Sequence, residues 1–255
     1  DEIVATNGAT GTGLPDGIYD VQVVTPSASN INSGVRIDRA TLAPTLTAPA
    51  SSGSTSTPLD VRFSLPEAAS SGSVRLTFTG PVTSTVTLTS GNESSGDHTV
   101  SLRASDLAGS TGVASVSGAA SLPDGTYAVE LQYRDDLGNG AATQTATGIK
   151  LDTQTETPTW LSAADTDSGD HVYVTFSLPE TPLAGSVRVT LTGSARARLV
   201  TVGTSAAGTS TVRVNRQGVT QPDGTYTATV SYQDALGNPR TASSGTSLLL
   251  SSPPT

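Results

Sequence analysis

The chain has 255 residues and a formal net charge of −9, is 35% hydrophobic but only 4% aromatic, and contains neither Cys nor Met. An acidic chain without a basic run lacks the footprint for nucleic acid or an anionic membrane surface, and no apolar run reaches the roughly 20 residues that span a bilayer. Without Cys there is no disulfide framework and no thiolate metal site, so a core of Val, Leu, Ala and a few Tyr must be held by packing and hydrogen bonds.

One phrase recurs in chain order: Leu14-Pro15-Asp16-Gly17-Ile18-Tyr19, Leu122-Pro123-Asp124-Gly125-Thr126-Tyr127 and Gln221-Pro222-Asp223-Gly224-Thr225-Tyr226. Spacing of about a hundred residues means that one supersecondary unit has been copied. The self-alignment divides the chain into residues 1–39, 40–152 and 153–255. Between the last two, Val61-Arg62-Phe63-Ser64-Leu65-Pro66-Glu67 answers Val174-Thr175-Phe176-Ser177-Leu178-Pro179-Glu180. Likewise Gly72-Ser73-Val74-Arg75 answers Gly185-Ser186-Val187-Arg188, and Asp136-Leu137-Gly138-Asn139 answers Asp234-Ala235-Leu236-Gly237-Asn238 with one additional residue. Residues 1–39 match only the last third of a repeat. Either the chain is an excerpt of a longer array, or the missing front strands come from another subunit by strand addition. The absence of an initiator Met or a signal-like segment at Asp1 leads us to expect a preceding segment, and the last five residues read as the start of another repeat.

Within each repeat the elements read as strands. Val61, Phe63 and Leu65 alternate with polar residues, as do Val74, Leu76 and Phe78, and then Tyr127, Val129, Leu131 and Tyr133. Further strands are expected over 45–48, 85–89, 98–103 and 145–151, giving about seven in a domain, the count of a β-sandwich. A short helical turn is expected only over 104–109. Asn92-Glu93-Ser94 is a glycosylation sequon placed between strands, making Asn92 a candidate glycan acceptor.

The Asp-Gly-x-Tyr phrase with a small apolar residue two positions later (Val21, Val129, Ala228) resembles the tyrosine corner of immunoglobulin-like domains, with the Cys of antibody domains replaced. The Leu-Gly-Asn hairpin phrase and the closing Lys150-Leu151-Asp152 stretch resemble the F–G turn and interdomain junction of tandem Ig-like repeats in large microbial surface adhesins. Similar repeats occur in very large algal surface proteins, including mastigoneme-like ones. The resemblance implies an all-β fold of tandem antiparallel sandwiches forming an elongated rod, with Tyr19, Tyr127 and Tyr226 as structural corners. It implies an extracellular structural or adhesive role, with partners among further repeats, other copies of the chain, and glycans. Trp160 stands at the start of the third repeat instead of on the core strand, and a seat at the junction between domains is expected for it.

Related adhesin repeats stiffen their junctions with Ca²⁺, which needs six to eight oxygens. Candidate ligands are Asp38 and Asp152 at repeat ends, Asp124 and Asp223 in the recurring turn, and Asp135, Asp136 and Asp234 in the following hairpin. The competing reading makes these Asp residues turn-formers that hydrogen-bond their own backbone. Asp165 to Asp170 lacks the distal Glu of an EF-hand loop. Catalysis has little support, since His98 and His171 occupy different places in their repeats and no nucleophile is paired to either. The arginines at 196, 198, 213 and 216 are a candidate basic patch, with a solvated face as the alternative.

Overall fold

The computed structural model describes residues 13–25, 28–165, 171–193, 197–203, 206–215 and 224–250. The chain divides into two compact units, residues 1–53 with 58–150, and residues 151–255 with 54–57. Both are all-β, and no α-helix occurs among the described residues.

Strands of the first repeat and a half are β1 (Gly17–Thr25), β2 (Ala28–Ile37), β3 (Thr45–Ala48), β4 (Ser54–Thr55), β5 (Leu59–Leu65), β6 (Arg75–Thr79), β7 (Thr83–Leu88), β8 (Gly96–Leu102), β9 (Val113–Gly118), β10 (Gly125–Tyr133) and β11 (Ala142–Leu151). In the first unit, β3, β5 and β8 form one antiparallel sheet, and β11, β10, β6, β7 and β9 lie side by side in that order in another. The alternation in sequence becomes the alternation in burial: β5 buries Leu59, Val61, Phe63 and Leu65, and β10 buries Tyr127, Val129, Leu131 and Tyr133. Strands with period-two apolar residues can pack only one face, so two such sheets closing on each other give a sandwich.

The first third of the unit, β1 and β2, is an antiparallel hairpin that pairs with no other strand among those described. It corresponds to β10 and β11 of the next repeat, yet Val21 is 38% exposed where Val129 is 1% exposed. Among the described residues no second sheet covers the inner face of the hairpin as one does in the complete repeat.

The second unit repeats the plan with β12 (Thr159–Asp165), β13 (His171–Leu178), β14 (Arg188–Gly193), β15 (Ala197–Thr201), β16 (Gly208–Asn215), β17 (Gly224–Tyr232) and β18 (Thr241–Leu250). Its sheets are β12-β13-β16 and β15-β14-β17-β18, enclosing Val172, Val174, Phe176, Val189, Leu191, Val230 and Tyr232.

Three expectations need correction. The 104–109 segment is a pair of turns, with the Gly109 N–H donating to Asp106 Oδ1 at 3.0 Å, and among the described residues a helical turn lies instead at Ser90–Asn92. Strand β9 was not expected, because Ala114, Ser115, Ser117 and Gly118 give it almost no apolar alternation; it is held by ladder pairing to β7. Thirdly, Asp135 and Asp234 occupy the same place, each bridging the preceding loop (Ala69 and Pro182), so the hairpins align without an insertion and Asp136 is matched by Ala235.

Candidate functional site

The conserved geometry of the two complete repeats is concentrated at the β10–β11 and β17–β18 turns. Asp135 closes its turn by accepting from the Asn139 backbone N–H at 3.0 Å and from Asn139 Nδ2 at 2.7 Å, and Thr41 Oγ1 donates to it at 3.1 Å. Asp234 does the same with the Asn238 N–H at 3.1 Å and Nδ2 at 2.7 Å, while its own N–H donates to Thr155 Oγ1. Burial pushes the Asp135 carboxyl up, but the hydrogen bonds from Asn139 and Thr41 outweigh it and hold the group below the usual carboxylate range.

The amide of each Asn reaches back to the residue that ends the preceding repeat sequence. Asn139 Nδ2 donates to the Asp38 carbonyl at 3.2 Å, and Asn238 Nδ2 to the Asp152 carbonyl at 2.9 Å. A glutamate completes each group: Glu67 accepts from the Leu42 N–H and Glu180 from the Glu156 N–H, both at 2.8 Å. The result is two equivalent carboxylate clusters, Asp38–Glu67–Asp135 in the first unit and Asp152–Glu180–Asp234 in the second, each offering three oxygens within 4.8 Å of one another.

In the first cluster, Arg36 lies against the acids, with Nη2 2.5 Å from Asp38 and 3.6 Å from Glu67, and Nη1 2.6 Å from Asp136. In the second, burial pushes the Glu180 carboxyl up; the Glu156 N–H lowers it, and the charges of Asp152, Glu156 and Asp234 raise it again. Oxygens around a common Ca²⁺ sit 2.3–2.6 Å from it and hence up to about 5 Å apart, a spacing that this second cluster meets.

Tyr133 and Tyr232 stand beside the clusters, and burial followed by the charge of Glu67 or Glu180 pushes each hydroxyl up to about 12. Tyr133 donates to the Leu42 carbonyl at 2.7 Å, whereas the Tyr232 hydroxyl is sealed from solvent and finds no hydrogen-bond partner among the described residues.

Solved structures similar to this chain include adhesin repeats. One is a tetra-tandem repeat from the extending region of a large adhesion protein, 19% identical, covering 95% of this chain and 61% of its own, with a TM-score of 0.38. A second is a Ca²⁺-stabilized adhesin with which an Antarctic bacterium binds ice, 18% identical, covering 91% and 55%, with a TM-score of 0.41. A third belongs to a bacterial ice-binding adhesin, 17% identical over 89% of this chain and 72% of its own, with a TM-score of 0.33. The chain thus spans 61% and 55% of the lengths of the first two. No protein-family model and no curated protein matches it.

Of the seven candidate metal ligands, Asp38, Asp135, Asp152 and Asp234 fall in the clusters. Asp136 is not with them as a ligand, because it is turned to Arg36. Asp124 is an exposed turn residue ahead of β10 in neither cluster, and Asp223 lies outside the described residues. Glu67 and Glu180 were missed. Their signal was present in the repeated Ser-Leu-Pro-Glu phrase, which had been used only to set the register.

Tyr19 and Tyr127 donate from their hydroxyls to the carbonyls of Pro15 and Pro123 at 2.7 and 2.8 Å, the corner bond four residues upstream. Tyr226 is buried in the core of its unit. Trp160 is partly buried and packs against the core of its own unit, its indole lying where a side chain on Gly245 would stand. Asn92 is a further correction: it is buried in the helical turn, its Nδ2 3.5 Å from Thr89 Oγ1 and from the Gly112 carbonyl, so the fold leaves its amide no room for a sugar. His98 stacks on Phe63 with ring centroids 5.1 Å apart, and His171 is half-buried at the start of β13. Of the basic patch, Arg213 is exposed on β16, while the positions of 196 and 216 and the side chain of 198 lie outside the described residues.

Proposed function

We propose that the chain is a run of Ig-like repeats, over 1–39, 40–152 and 153–255, that serves as a structural building block of an extracellular stalk or filament. The observation that carries this reading is the recurrence of one joint. Asp38, Thr41, Glu67, Asp135 and Asn139 return as Asp152, Thr155, Glu180, Asp234 and Asn238, so the residue ending one repeat sequence is tied by the same bonds to the hairpin of the next. A catalytic surface has no reason to be copied at repeat boundaries; a connector does. Absence of Cys, abundant Ser and Thr and an acidic surface suit a secreted chain that need not form disulfides.

Calcium is the cofactor we assign to the Asp152–Glu180–Asp234 cluster, where three carboxylates converge and a cation would relieve their repulsion. Waters or carbonyls would complete the six to eight oxygens. Electron microscopy of native material is expected to display the chain as a repeating element of a fibre or surface projection; isolated monomers under all native conditions would sink the structural reading. For calcium, the thermal midpoint of the second unit is expected to rise by several degrees on moving from chelator to excess ion, and an unchanged midpoint removes the ion.

A further inference from the structure

Arg36 enters the Asp38–Glu67–Asp135 cluster, and its placement is specific. It lies at the end of β2, one residue before the last, and its two terminal nitrogens point in different directions. Nη2 meets Asp38 and Glu67, two members of the cluster, while Nη1 meets Asp136, which lies outside it. A guanidinium is a planar fork that never loses its charge and can serve two carboxylates at once. The bonds to Asp136 and Asp38 stabilise its charged form further.

The chain carries its own comparison. At the position of Arg36 the next repeat has Lys150, and at that of Asp136 the following hairpin has Ala235. The two differences go together. A fork with two anchors has been exchanged for a point charge and a methyl group.

We propose that Arg36 is the resident cation of the Asp38–Glu67–Asp135 cluster: this joint is filled by the chain itself and holds the β1–β2 hairpin onto the following sandwich without a divalent ion. Asp136 is then the anchor that turns the guanidinium inward. The role of Arg36 in this joint does not depend on whether the Asp152–Glu180–Asp234 cluster takes calcium.

The test is amide hydrogen exchange of the full chain, read locally on β1 and β2 with the β5 and β10 amides as an internal gauge of folding. In the parent chain, hairpin exchange is expected to be the same in chelator and in millimolar calcium. In Arg36→Met, which keeps the apolar stem, it is expected to be about fivefold faster in chelator and to return toward the parent rate with calcium, since removing the guanidinium frees the three carboxylates for an ion. Asp136→Ala is expected to give a smaller acceleration in the same amides. Calcium-slowed hairpin exchange in the parent, an unchanged rate in Arg36→Met, or an accelerated rate that calcium does not restore would each overturn the proposal. Failure of the calcium reading at Glu180 would register in β17 and β18 and leave the hairpin amides as they are, so the two can fail separately.

Discussion

Asp135 in the first cluster and Glu180 in the second are acids pushed in opposite directions, and the sign decides what each does with pH. Asp135 is held below its ordinary value of 3.8, so its contribution to stability is complete above that pH and is lost as pH falls through its folded value. Glu180 is raised above 4.5, so its folded form binds the proton more tightly than the unfolded chain; stability from this group grows as pH falls through the folded value toward 4.5 and is absent above it. In chelator, the second unit is therefore expected to melt at a higher temperature as pH is lowered toward 4.5 than at neutral pH, and Glu180→Gln is expected to flatten that slope. A slope unchanged in Glu180→Gln would assign the effect to another group. The Asp turn-formers were legible from Asp-x-Leu-Gly-Asn alone, because the side chain bonds backbone a few residues away. Glu67 was not, because its partners Asp38 and Asp135 lie far along the chain.

Among elements, the corner at the start of β10 links the repeated phrase to packing. Tyr127 lies with its ring across Gly80, the residue that ends the Thr-Gly phrase after β6; a Cβ there would come within 2.7 Å of Tyr127 Cδ1. Gly193 and Tyr226 repeat the arrangement in the second unit. Tyr127→Phe removes one hydrogen bond to an exposed carbonyl and is expected to cost about 1 kcal/mol in urea unfolding. Gly80→Ala must displace the ring and the Thr126 carbonyl together and is expected to cost more, about 1–3 kcal/mol. A ranking reversed between the two would show that the hydroxyl, and not the close approach, holds the corner. Strands with strict alternation, β5, β6 and β10, were readable within two residues of their ends, since burial of one face writes the pattern. β9 was not, because its pairing to β7 is made by backbone groups that leave no mark in side-chain type.

At the scale of the molecule, the chain is modular in composition as well as in fold. The sandwich of the first unit draws its buried core from residues 59–149, whereas the β1–β2 hairpin adds polar contacts through Arg36 and Asp38. A protein of residues 40–152 alone is accordingly expected to unfold in a single cooperative urea transition, with a midpoint close to that of the same sandwich in the full chain. A molten, non-cooperative 40–152 would make the hairpin part of the domain.

The sequence by itself determined the repeat, its register, the alternating strands and the tyrosine corner, because each is a local pattern that recurs within one stretch of chain. The tertiary structure alone decided that Glu67 and Glu180 join the acids, that Arg36 meets Asp38 and Glu67, that Asp136 answers Arg36, that Asn92 is buried and that Trp160 packs on the core of its unit. Those outcomes depend on residues brought together across a hundred positions by the closing of two sheets, and no spacing in the chain encodes which charges then meet.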